Sequence, residues 1–183
     1  SWANAFRSLQ DALAVAGPGD EIHVAQGIYE PDRGVGIDSG NRNATFQLLN
    51  GVAIRGGYAG YGEPDPDAQD FDRYQTVLSG DLANNDLPLT GFDYESIRVF
   101  VQGTQRGDNS YSVVTASEVD DSAVLEGFSI ISGHANFTNA STGDARTCGA
   151  GAFISNASPA IRNCVFISNT VCCSNMPARG AAV

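Results

Sequence analysis

Two acidic stretches hold the side chains best placed to do chemistry. D-P-D-A-Q-D-F-D presents Asp65, Asp67, Asp70 and Asp72, and D-L-A-N-N-D presents Asp81, Asn84, Asn85 and Asp86. Hard oxygen donors at one- to three-residue spacing on Gly- and Pro-rich chain suit Ca²⁺, which accepts six to eight oxygens in tolerant geometry. Asp65, Asp67, Asp70, Asp72, Asp81, Asn84 and Asp86 are therefore the expected metal ligands. Neither stretch has the twelve-residue EF-hand spacing, and the competing reading is turn-forming Asp that bonds its own backbone.

Four cysteines, Cys148, Cys164, Cys172 and Cys173, are confined to the last 36 residues. An even number in a chain rich in Gly, Asn, Ser and Thr predicts disulfides and an oxidising, extracellular setting, with pairing order left open. Zinc is disfavoured because no Cys-x-x-Cys spacing exists and His23 and His134 are remote.

A carboxylate pair also appears at Asp120-Asp121, with Gly133-His134 beyond it. This order invites comparison with the β-helix hydrolases of polygalacturonase type, which place an Asp pair and a Gly-His in one groove. Here the Gly-His follows within less than one repeat, and the basic Arg-x-Lys element of such enzymes has no counterpart in a chain without Lys. The pair is read as the turn before a strand.

The elements that must position these residues follow from composition and repetition. In 183 residues, 42% hydrophobic, 21 acidic side chains face 10 basic ones, all Arg, for a net charge of −11. That charge disfavours nucleic acid and anionic lipid as partners, and no apolar run is long enough for a membrane-spanning helix. L-E-G-F-S-I-I-S-G from Leu125 recurs as I-R-N-C-V-F-I-S-N from Ile161, at an offset of 36 residues, and Gly151-Ala152-Phe153 is echoed by Ala181-Ala182-Val183. Such self-similarity predicts a solenoid whose turns bury a core jointly. Trp2, Phe6, Leu9, Leu13 and Ala16 lie at helical spacing, with Ser1 as N-cap and Gly17-Pro18-Gly19 as stop. Short β-rich segments follow at 21–25, 45–49, 52–55, 76–79, 96–101, 112–116, 123–131, 150–154 and 160–168. The expected fold is a single all-β domain over residues 1–183, a parallel β-helix with a capping α-helix within 1–19 and rungs over 20–183. Loops inserted at about 58–73, 80–95 and 134–148 interrupt the rungs.

The runs D-E-I-H-V-A-Q-G-I-Y-E-P from Asp20, A-T-F-Q-L-L-N-G-V-A-I-R-G-G-Y-A-G from Ala44, T-V-L-S-G-D-L from Thr76, Y-S-V-V-T-A-S from Tyr111 and L-E-G-F-S-I from Leu125 resemble secreted bacterial right-handed parallel β-helix repeat proteins. They are akin to the polymorphic outer-membrane-protein repeats. The resemblance runs from about Trp2 to the end and implies the right hand of the solenoid and a secreted or cell-surface location. The expected role is structural or adhesive, with head-to-tail self-assembly into filaments through an open C-terminal rung and Ca²⁺ as a stabilising ion. The alternative is a fragment of a polysaccharide-binding or polysaccharide-cleaving β-helix enzyme.

Overall fold

In the computed structural model the described residues are 1–87, 95–96, 99–100, 103–137 and 144–172. A 3₁₀ turn at Trp2–Asn4 precedes a short helix, α1 (Leu9–Leu13). The strands follow as β1 (Glu21–Ala25), β2 (Gly27–Tyr29), β3 (Phe46–Gln47), β4 (Ala53–Tyr58), β5 (Thr76–Ser79), β6 (Val114–Ser117), β7 (Val124–Glu126), β8 (Ser129–Ile131), β9 (His134–Ala135), β10 (Ala152–Ser155), β11 (Ala160–Arg162), β12 (Val165–Ile167) and β13 (Thr170–Val171).

Every ladder between these strands is parallel. One sheet has the order β1-β4-β7-β11, a second β2-β5-β8-β12, a third β3-β6-β10, and a fourth pairs β9 with β13. The chain visits the first, second and third sheets in the same order, entering the fourth only after β8 and β12, so consecutive strands along the chain lie in different sheets and equivalent strands stack. The fold is thus mostly parallel β-sheet among the described residues, with little helix. Among the described residues the sheets are open, since β1, β2 and β3 at one end and β10, β11, β12 and β13 at the other are each paired on one side only.

Register explains the core. Leu125 pairs with Ile161, and Ile54 with both Ile22 and Leu125, so one aliphatic column runs the length of the first sheet. Tyr29, Leu78, Ile130 and Phe166 form a second column, and Phe46, Val114 and Ala152 a third. Leu78, Ile130, Val113, Ala116 and Ala123 are wholly buried between them. Burial of each large aliphatic side chain contributes about 1.5–3 kcal/mol, and stacking like on like lets one sequence pattern satisfy every pass. On the outside of the first sheet the register column is His23, Arg55, Glu126, Arg162, and Arg55 bonds both Glu21 (2.9 Å) and Glu126.

The 36-residue offset between Leu125 and Ile161 is the spacing of the last two passes. Earlier spacings differ because chain is inserted: Ala53 pairs with Val124, 71 positions on, whereas Val77 pairs with Ser129, 52 positions on. The corners repeat as well. Gly127 (φ 78°) and its counterpart Asn163 (φ 50°), Ser132 (61°) and Ser168 (58°), and Glu118 (56°) and Asn156 (50°) occupy the left-handed region at matching places. Such a residue turns the chain sharply from one strand into the next, and Asn tolerates the conformation best after Gly. Reading Asn163 as the equivalent of Gly127 therefore holds in geometry.

Several expectations need correction. The helix of residues 2–16 is reduced to five residues, capped by Ser8, whose hydroxyl accepts from the Gln10 amide at 3.2 Å, and not by Ser1. Ala5 is extended, Phe6 is 58% exposed, and the Trp2 indole donates to Asp67 Oδ1 at 2.7 Å. The helical period of Trp2 and Phe6 was overridden by these tertiary contacts, while Leu9 and Leu13 do pack into the core as expected. Of the strand expected over 96–101, residues 96, 99 and 100 are helical, as is residue 95 before it. The excursion expected to start at residue 134 starts later, because His134–Ala135 is β9 and is buried. Strands β2, β9 and β13 are too short to be seen as hydrophobic runs. The echo at Ala181-Ala182-Val183 lies outside the described residues.

Candidate functional site

The first acidic stretch lies between β4 and β5, and the carboxylates of Asp65 and Asp70 are engaged in turns. Asp65 Oδ1 accepts from the Asp67 amide (3.2 Å), and Asp70 Oδ1 from the amides of Asp72 and Arg73 (3.0 Å each). Asp67 holds the Trp2 indole. These are Asx-type contacts that shape the loop, and they bring Phe71 over the corner glycines: a Cβ on Gly57 or Gly127 would lie 2.5 or 2.3 Å from the Phe71 ring. Among the described residues no three His, Cys, Asp or Glu side chains are grouped closely enough to hold a metal.

The second acidic stretch is different, since it closes over a buried polar network. Asp81, 8% exposed, accepts from the Asn85 amide through Oδ1 (3.1 Å) and from the Asp86 amide through Oδ2 (2.9 Å). Those bonds turn Asp86 inward, where its Oδ2 accepts from Arg106 Nη1 (2.9 Å) and Asn109 Nδ2 (2.8 Å). Arg106, 3% exposed, also donates to the carbonyls of Gly133 (3.2 Å) and Ser168 (2.7 Å), corners of two consecutive passes. Asn109 Nδ2 donates to the Ser132 carbonyl at 2.7 Å, and Asn85 Nδ2 to Asp108 Oδ2 at 2.8 Å. From the other side Arg42 donates to the Asn109 and His134 carbonyls (2.5 and 3.1 Å) and to Asn136 Oδ1 (2.8 Å), with its guanidinium 4.1 Å from the centre of the Tyr111 ring. Burial lowers the pKa of both arginines. Asn84 faces away and bonds Glu30 at 2.6 Å.

His134 stands against this network. It is 4% exposed, its Nδ1 lies 2.6 Å from Thr170 Oγ1, and burial with Arg106 and Arg42 nearby pushes its pKa down to about 4. A neutral imidazole is thereby held as a structural hydrogen-bonding group. Asp120 sits at a different corner, between β6 and β7, where its backbone amide donates to Asn50 and its carboxylate binds Ser122, which keeps its pKa below the usual range. Asp120 is bonded to its own turn and His134 to Thr170 on the next pass, so the Asp pair and the Gly-His are not brought into one groove.

Cys148, Cys164 and Cys172 carry free thiols; Cys148 donates to the Asp144 carbonyl (3.2 Å) and Cys164 to that of Arg162 (3.2 Å). Burial raises the Cys164 pKa. Cys173, the fourth disulfide candidate, lies outside the described residues. A cleft of about 620 Å³ opens at the end of the stack near β1 and β2, with Trp2, Phe6, His23, Tyr29 and Tyr61 in its lining.

Of the expected ligands, Asp81 and Asp86 enter a buried site, whereas the carboxylates of Asp65, Asp67 and Asp70 make loop contacts, Asp72 joins that loop through its backbone amide, and Asn84 donates to Glu30. Sequence reasoning missed Arg42, Arg106, Asp108 and Asn109. The one signal was R-G-D-N-S over 106–110, a polar run just before a buried strand. Among the described residues no helix is long and apolar enough to cross a membrane. Comparison with family models, curated proteins and solved structures returned no match for this chain.

Proposed function

We propose that this chain is a right-handed parallel β-helix of the secreted, polymorphic outer-membrane-protein-like kind, serving a structural or adhesive role outside the cell and assembling head to tail, with Ca²⁺ as a stabilising ion. The observation that supports the reading is the in-register parallel pairing of equivalent strands, β4 with β7 and β11 and β5 with β8 and β12, which offers each neighbour a ladder of N–H and C=O groups and a matching apolar column. A stack built this way extends by adding like to like, and open strand edges pair readily with a neighbour. The buried polar network adds to the case, because Arg106 and Asn109 bond the corners of consecutive passes together. Electron microscopy and light scattering of the purified protein test the assembly: filaments or a concentration-dependent rise in mass support it, and a monomer that persists at high concentration refutes it.

A second reading, polysaccharide binding, is favoured by the aromatic cleft. Exposed Tyr61 and Phe6, with Trp2 and Tyr29 beside them, offer ring faces of the kind that stack on sugars. Titration of acidic and neutral polysaccharides against the wild type and Tyr61→Ala decides it: binding lost in the variant supports it, and no binding by the wild type refutes it.

A further inference from the structure

The network around Arg106 is incomplete: Arg106 Nε and the Ser110 hydroxyl are buried without a partner, but most of the unpaired atoms are side-chain oxygens. Asp86 Oδ1, Asp108 Oδ1 and Asn109 Oδ1 are buried oxygens without a hydrogen-bond donor. Buried acceptors are nearly always paired, and each one left unpaired costs about 1–3 kcal/mol, so three in neighbouring residues demand an explanation. Two of them are fixed in place. The Asp86 side chain is 9% exposed and is held through Oδ2 by Arg106 and Asn109. Asn109 is fully buried, and its Nδ2 is committed to Asp86 Oδ2 and the Ser132 carbonyl, so its amide cannot be reversed without aiming an oxygen at two acceptors. Asp108 is tied to the same place through Asn85, the neighbour of Asp86. The pairs 85–86 and 108–109 are thereby bonded side by side.

The local charge points the same way. Asp81, Asp86 and Asp108 lie near Arg42 and Arg106, with His134 neutral, which leaves one negative charge in excess in a partly buried place. A hard cation answers both the excess charge and the oxygens, since carboxylate and amide oxygens are its preferred ligands and its remaining positions can be filled by water.

We infer that Asp86, Asp108 and Asn109 form a cation site of the Ca²⁺ class, which pins residues 81–86 and 106–109 to the corners at 132–133 and 168. This refines the calcium part of the function proposed above and is independent of assembly, so the two fail separately. It also moves the site away from the exposed Asp65–Asp72 loop.

Isothermal titration with Ca²⁺ and thermal melting with and without chelator test it on the wild type, Asp86→Asn, Asp108→Asn and Asp70→Asn. The wild type should bind Ca²⁺ and melt lower in chelator. Asp86→Asn and Asp108→Asn should weaken binding by about tenfold or more and lose the chelator effect, while Asp70→Asn keeps both. Asp108→Asn is the decisive variant, because Asp108 does not touch Arg106 in the hydrogen-bond network and its loss leaves the Asp86 ion pair intact. Absence of Ca²⁺ binding by the wild type overturns the inference and leaves ordered water as the partner of these oxygens. Binding that survives Asp108→Asn but is lost in Asp70→Asn overturns it in favour of the exposed loop.

Discussion

Acidification should weaken this fold through one side chain well before the carboxylates are protonated. His134 is buried beside two guanidinium groups, and its pKa falls from 6.5 to about 4. Because the unfolded chain binds a proton at His134 below pH 6.5 and the folded chain does not until about pH 4, stability contributed by the neutral imidazole is complete above 6.5 and is lost as pH falls between the two values. A tenfold difference in proton affinity between the folded and unfolded chain corresponds to about 1.4 kcal/mol, so the full loss approaches about 3 kcal/mol. The groups facing the ring agree with the direction: Arg106 and Arg42 repel an imidazolium, and Thr170 Oγ1 is the side-chain partner of Nδ1. Urea unfolding of the wild type and His134→Gln at intervals from pH 7.5 to pH 4.5 measures the effect, glutamine being neutral throughout and able to reach Thr170. The wild type should lose stability more steeply than the variant below pH 6.5, with the difference growing toward pH 4.5. Parallel curves for the two proteins over that range would refute the reasoning.

Replacing Arg106 by Met strips Asp86 of its ion-pair partner and two corner carbonyls of their donor, and should cost about 3–5 kcal/mol in urea unfolding; a loss below about 1 kcal/mol would mean that the network is solvated. Gly127→Ala meets both a positive φ and the Phe71 ring, so it should destabilise by more than the roughly 1 kcal/mol of an unhindered left-handed position, and Phe71→Ala should relieve part of that cost when the two are combined. With a pKa raised by burial, Cys164 should react with iodoacetamide in the native state more slowly than Cys148 or Cys172, as read by mass spectrometry of digests; equal rates would contradict its placement.

Much of the sheet architecture was legible in one dimension. The repeat of Leu125–Gly133 at Ile161–Asn169 is the Leu125–Ile161, Ile130–Phe166 and His134–Thr170 register itself, because stacking identical passes requires each inward position to recur. Strands at 21–25 and 76–79 emerged with their full bounds, as short β-branched runs closed off by turn residues on both sides. Asn163 betrayed its corner because few residues other than Gly accept a left-handed backbone, and it stands where Gly127 does.

Other features depend on contacts between residues far apart in the chain. Whether Trp2 continued a helix depended on Asp67 and Tyr58, which its indole meets only when the loop after β4 folds back. Asp81 and Asp65 look alike in sequence. They diverge because one lies over open corner carbonyls that draw in Arg106 and Asn109, and the other closes an exposed turn on itself. The polar network could not have been foreseen, since Arg42, Asp86, Arg106 and His134 carry no shared periodicity and meet only where inserted chain is folded against the corners of the stack. A repeat records what every pass has in common, and so it determined the ladders and the aliphatic columns. The insertions occur once each, and only tertiary packing decided which of their charges were buried, which were paired, and which oxygens were left without a donor.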